Sequence, residues 1–149
     1  MRRTIDSSVI VKGILKPRRK KQDAVLKEQT VLYGIASSIM DGINKGEDEL
    51  VIPTIAIVEV AAVVSRLTGI KDSGVNTANL ISSIATVIDE SDILKECIDI
   101  AAETKISGFD SVFIACAKAT NSTLITDDRK MHEAALKAGI MSKLLREMA

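Results

Sequence analysis

The sequence predicts an α/β fold, a three-layer α/β/α domain around a central parallel sheet of four to five strands. Three observations predict it. Short apolar runs of strand length alternate with longer segments of helical spacing along the 149 residues. Those runs are short and largely apolar, as the strands of a parallel sheet covered on both faces are. Aromatic residues are scarce, so Ile, Val, Leu and Ala must fill the core.

Thr4-Ile5-Asp6 reads as a short buried strand running straight into a helix that opens with Ser7-Ser8-Val9-Ile10-Val11. Lys16 to Asp23 is a charged break around Pro17, which cannot continue a helix. From Asp23 to Ile43, Leu32, Ile35, Ile39 and Ile43 keep helical spacing, and Gly42 and Gly46 mark the end. Leu50-Val51-Ile52 is the second strand, stopped by Pro53. Thr54 is placed to cap an apolar helix to about Leu67, closed by Gly69. Another helix runs from Val75 to about Ala85, and Thr86-Val87-Ile88 is a third strand. Ser91 is placed to cap a helix through Thr104, and Ser107 opens one to about Ala119. Thr123-Leu124-Ile125 is the fourth strand. Arg129 to Ala138 is helical up to Gly139, and Ile140 to Met148 carries mixed signals. Neither a repeat nor a low-complexity linker divides residues 1–149, so one domain is expected.

Composition narrows the function. With 46% hydrophobic and 27% charged residues the chain is globular rather than disordered. Its 20 basic and 20 acidic residues cancel, so any affinity for nucleic acid must be local. Tyr33, Phe109 and Phe113 are the only aromatics, which excludes a row of base-stacking rings. Cys97 and Cys116 lie in apolar helical patterns without a CxxC pair, as buried thiols of a reducing cytoplasm do. Arg2 and Arg3 resemble the start of a leader, but Asp6 and Lys12 interrupt any apolar stretch after them. Ile55 to Val64 is broken by Glu59 and is too short to span a bilayer. The expectation is a soluble, cytoplasmic protein with no membrane partner.

In a parallel sheet, ligands gather outside the carboxyl ends of the strands at the topological switch point. Asp6 ends the first strand and is the sole charge between Thr4 and Val11, suited to a helix cap as well as to a ligand. Glu59 is the only ionisable residue from Thr54 to Ser65 and lies too far inside its helix to cap it. An uncompensated buried carboxylate costs on the order of several kcal/mol, so it calls for a cation, or for Arg66 as a partner. Asp110 is the only charge from Ile106 to Ala117 and follows Ser107 at capping-box spacing. Asp127 and Asp128 follow the fourth strand, where a single acid would suffice as a cap. Such hard oxygen donors suit Mg²⁺ or Mn²⁺, and nothing soft favours zinc. His132, the one histidine, reads as a surface or packing residue with no serine or cysteine to activate. No Gly-rich phosphate loop is present. The run Lys16, Arg18, Arg19, Lys20 and Lys21 is either a phosphate grip or a solvated loop.

These stretches, in this order, resemble the PIN-domain family, the nuclease fold of VapC-type toxins and of several RNA-processing enzymes. The matching segments are Ile5-Asp6-Ser7-Ser8-Val9-Ile10, Ile52-Pro53-Thr54 through Glu59 to Arg66, Gly108-Phe109-Asp110-Ser111 with the apolar run after it, and Leu124-Ile125-Thr126-Asp127-Asp128. Together they span Thr4 to Gly139. The resemblance implies a metal-dependent endoribonuclease that hydrolyses RNA phosphodiester bonds with Mg²⁺ or Mn²⁺. It implies Asp6, Glu59, Asp110 and Asp128 as an acidic quartet, with Asp127, the intervening residue of a Thr-x-Asp pattern, as the alternative ligand. Ser8 and Thr126 become polar helpers, and Lys12, Arg18 and Arg19 the basic residues expected to meet substrate. The charged insertion from Lys16 to Lys21 departs from the short loop the family leads one to expect. The implied partners are RNA, a second copy in a homodimer, and a small antitoxin protein that blocks the acidic pocket. Two competing readings share the α/β pattern. One is a catalytically silent PIN-like module that binds protein or RNA. The other is a phosphoacceptor receiver domain, which lacks here its acidic pair at the first strand and its late-strand lysine.

Overall fold

The computed structural model describes all residues, 1–149. Five strands, β1 (Arg2–Ile5), β2 (Glu49–Pro53), β3 (Thr86–Ile88), β4 (Thr123–Thr126) and β5 (Ser142–Leu144), form one sheet in the order β3-β2-β1-β4-β5. Every pairing is parallel, with Thr4 opposite Leu124 and Ile5 opposite Ile125 at the centre. Seven helices surround it: α1 (Ser7–Ile14), α2 (Ala24–Asn44), α3 (Thr54–Thr68), α4 (Lys71–Ile84), α5 (Leu94–Thr104), α6 (Gly108–Thr120) and α7 (Arg129–Lys137). Helices α1 to α4 pack with one another on one side, and α5 to α7 form the other layer. The expected three-layer α/β/α architecture is therefore what the chain adopts. The aliphatic core runs through both layers, with Ile5, Ile52, Leu124 and Ile125 shut off from solvent along the sheet. No helix is long and apolar enough to cross a membrane.

The chain leaves β1 towards β2 on one flank and β4 towards β5 on the other, so the switch point lies between β1 and β4. The residues that follow those two strands are Asp6 and Asp127-Asp128.

Several element ends differ from expectation, each for a local reason. Strand β1 stops at Ile5, because Asp6 serves as N-cap of α1 and accepts from the Ser8 N–H at 3.4 Å. Thr54 does not cap α3: Pro53 takes that position without a side-chain bond, and the Thr54 hydroxyl donates to the Ile88 carbonyl at 3.3 Å. The open Ile55 N–H of that helix is met from a distant segment, by Glu90 Oε1 at 2.6 Å. Ser91 does not cap α5 either. It donates its N–H to Asp89, which caps a short 3₁₀ turn over Glu90–Ile93, and α5 starts at Leu94. Helix α4 begins at Lys71, four residues before Val75, because Gly74 is a packing residue rather than a break. A Cβ on Gly74 would collide with the Ser65 hydroxyl and the Ala61 carbonyl, so the missing side chain lets α3 and α4 approach closely. The mixed signals after Ile140 resolve into the edge strand β5 and a 3₁₀ turn at Leu145–Glu147.

Candidate active site

The site begins where β1 gives way to α1. The Asp6 N–H still donates to the Ile125 carbonyl at 3.0 Å, which holds the residue in register with the end of β4. Its carboxylate is only 9% exposed and accepts two hydroxyls at Oδ2, Ser8 Oγ at 3.0 Å and Thr126 Oγ1 at 3.0 Å. Thr126, fully buried, in turn accepts the Asp128 N–H at 3.0 Å. One hydroxyl thus fastens the ends of the two central strands together. Both polar helpers expected from the sequence, Ser8 and Thr126, touch the first acid. Burial pushes the Asp6 carboxyl above its ordinary value of 3.8; the bonds from Thr126 and Ser8 oppose that shift, and the negative charge of Asp110 adds to it. No basic side chain is among the groups acting on Asp6.

Glu59 projects from α3 and is half-buried, on the cleft that Asp6, Ser7 and Ser8 also line. The Ser7 hydroxyl donates to its Oε2 at 2.5 Å. Arg66 lines the same cleft without pairing with Glu59, whose donor is the serine instead. Ser7 is a site residue that sequence reasoning overlooked. Its signal was a small polar residue directly after Asp6, on the first turn of an otherwise apolar helix.

Asp110 lies in the first turn of α6, with its N–H donated to Ser107 Oγ at 3.1 Å. Its side chain opens on a cleft between α6 and α7 that Lys130, Glu133 and Lys137 also line. Asp128 is exposed and caps α7, accepting the Met131 N–H at 3.1 Å. Asp127 has another kind of environment. Its carboxylate, 7% exposed, sits between Lys12 Nζ at 3.1 Å and Arg146 Nε at 3.0 Å. That pairing ties α1 to the C-terminal 3₁₀ turn, and nothing in the sequence marked Arg146 for it. Arg18 and Arg19 also meet protein groups: Arg18 donates to the Leu67 carbonyl at 3.1 Å, and Arg19 forks onto Asp23.

The fold therefore brings Asp6 and Glu59 to one cleft, places Asp110 close enough for its charge to act on Asp6, and links Asp128 to Asp6 through Thr126. In the rotamers present, no group of three or more His, Cys, Asp and Glu side chains is arranged to hold a metal ion. Glu59 is turned to Ser7 and Asp128 to its helix cap. The donor set nevertheless fits a divalent cation in kind. Every candidate is a hard carboxylate oxygen, and Asp6 and Glu59 share one cleft without an ion pair to either carboxylate.

The PIN-domain family model matches residues 4–137. The chain belongs to the PIN-domain family, whose members are generally nucleases that depend on divalent metal. No curated protein matches the chain. Among solved structures, VapBC2 from Rickettsia felis, crystallised with a DNA fragment from its promoter, is similar with a TM-score of 0.64 at 18% identity, over 97% of this chain and 98% of that one. VapBC-1 from nontypeable Haemophilus influenzae gives a TM-score of 0.61 at 17% identity, over 97% and 98% of the two chains. PAE2754 from Pyrobaculum aerophilum gives 0.60 at 16% identity, over 95% and 89%. At these identities the likeness is one of fold.

Proposed function

We propose that residues 1–149 form a single nuclease domain, a Mg²⁺- or Mn²⁺-dependent endoribonuclease whose acidic quartet is Asp6, Glu59, Asp110 and Asp128. The observation that carries this reading is the state of Asp6. It is a nearly buried residue at the switch point, its carboxylate held by two hydroxyls, without an ion-pair partner, on one cleft with a second acid, Glu59. A carboxylate serving only as a helix cap has no need of that second acid. Asp6 and Asp110 would hold the ion together, with Glu59 and Asp128 completing the donor set from α3 and from the end of β4. Bound there, a divalent cation supplies an activated water and charge for the leaving 3′-oxygen. The protein's own part is positional. Thr126 and Ser8 fix the Asp6 carboxylate, and Ser7 holds Glu59 at the cleft wall. Asp127, committed to Lys12 and Arg146, acts as a brace rather than a ligand.

The VapBC neighbours support a toxin role with a small antitoxin as partner; we further propose that the chain acts as a homodimer in the cytoplasm. One observation favours the competing reading of a silent binding module: Glu59 and Asp128 are engaged within the protein. Incubation of single-stranded RNA with Mn²⁺ separates the two. Cleavage is expected, with Thr126→Val slowing it about 10- to 100-fold and Asp6→Asn slowing it further. RNA bound but left uncut by the unaltered chain would establish the module instead.

A further inference from the structure

Next to the acidic cleft lies a second cavity, of about 200 Å³, enclosed by the C-terminal half of α1, the segment after it and α2. The two cavities share Val11, Lys12 and Leu67 in their walls. Leu15, Pro17 and Tyr33 give this cavity apolar faces, while Lys16, Arg18 and Gln29 give it polar edges. We propose that it is a subsite for one base of single-stranded RNA beside the scissile phosphate, with Tyr33 as the stacking ring and Lys12 and Lys16 on the adjoining phosphate. The proposal rests on the nuclease reading and adds to it where the substrate strand lies.

The chemistry of the walls matches a nucleotide on three counts. A volume of about 200 Å³ exceeds the roughly 150 Å³ of an apolar cavity that takes up benzene, so a planar ring fits. A base has apolar faces and a hydrogen-bonding edge, and here a tyrosine ring and a proline stand among apolar walls with one amide, Gln29, able both to donate and to accept. Positive charge is also disposed along the route from one cavity to the other. Lys16 is exposed and pairs with no carboxylate. Lys12 keeps further N–H groups beyond the one on Asp127, and it lines both cavities. Arg18 is held at the rim by the Leu67 carbonyl. A strand whose phosphate approaches a ring of acids needs cationic groups on its flank, and these are the ones the fold supplies. Tyr33 is the only aromatic among these walls, since Phe113 is buried in the core.

The test reads binding of a labelled single-stranded RNA by fluorescence anisotropy, in Mg²⁺, with the full chain carrying Asp6→Asn so that cleavage does not interfere. Tyr33→Ala is expected to weaken binding about tenfold. Lys16→Ala is expected to weaken it and to lower the salt slope by about one. The decisive arm is an RNA series with one abasic position moved along the strand. One member should bind as weakly as the Tyr33→Ala chain binds intact RNA, and should lose nothing more when Tyr33→Ala is added. Unchanged affinity in both variants, or full additivity at every abasic position, overturns the subsite, as does failure of the RNA to bind. Lys16→Ala changes an exposed side chain and keeps the test valid if Tyr33→Ala fails to fold. Wild-type cleavage without a Tyr33 effect removes the subsite and leaves the nuclease. A Tyr33 signature in binding without any cleavage removes the nuclease reading and keeps the base-binding cavity.

Discussion

Asp6 carries opposing demands at a single carboxyl group. As the cap of α1 it is stabilising, while its burial and the nearby Asp110 disfavour its charge. Because the folded protein holds the Asp6 proton more tightly than the unfolded chain does, this group's contribution to stability is fully present below pH 3.8 and is lost as pH rises through the higher folded value. Asp6→Asn keeps a capping side chain and removes the charge. In the absence of divalent ion it should therefore melt above the wild type at pH 7, with the gap closing below pH 3.8. Thermal melts across pH check this, and a lower melting temperature at pH 7 for Asp6→Asn would contradict it. Asp127 shows how far the sequence carries at this scale. Two adjacent acids after a strand are visible in the sequence, but which one is exposed as a cap and which is buried between Lys12 and Arg146 depends on residues 19 or more positions away along the chain for Arg146. Local pattern has no access to that choice.

At the scale of elements, β2, β3 and β4 were legible from short runs rich in Ile, Val and Leu, whereas the edge strand β5, Ser142-Lys143-Leu144, has no apolar run to mark it. The caps were less so. Thr54 has a favoured capping side chain, yet the acceptor for the Ile55 N–H comes from Glu90, 35 residues on. Glu90→Ala should cost about 1 kcal/mol by leaving that helix end open, read as a lower denaturation midpoint at unchanged slope. No change in midpoint would mean that water serves the N–H equally well. The start of α4 was placed four residues late because the role of Gly74 lies in the neighbouring helix, where no local pattern shows it. Gly74→Ala sets a methyl against the Ser65 hydroxyl and the Ala61 carbonyl. The expected loss is about 1–3 kcal/mol as α4 is forced away from α3, against the stabilisation that alanine normally brings inside a helix.

For the molecule as a whole, zero net charge and a site rich in acids mean that, under the proposed function, a polyanionic substrate would have to be held by a few placed cations and by bound metal. Cation binding should be visible without any substrate. A Mn²⁺ concentration well above its dissociation constant is expected to raise the melting temperature by roughly 5 °C or more, an effect reversed by a chelator and much reduced in Asp6→Asn. Equal shifts in both proteins would place the ion elsewhere.

The place of β1 in the middle of the sheet has a consequence for synthesis. Its partners include β4, and the Asp6 carboxylate waits for the Thr126 hydroxyl, 120 residues later, before it is fixed. A nascent chain halted just before that threonine already carries three of the four acids, Asp6, Glu59 and Asp110, but lacks the strand end that fixes the first of them. The pocket is among the last features to form during translation, so under the proposed function a prematurely terminated fragment is expected to be inactive.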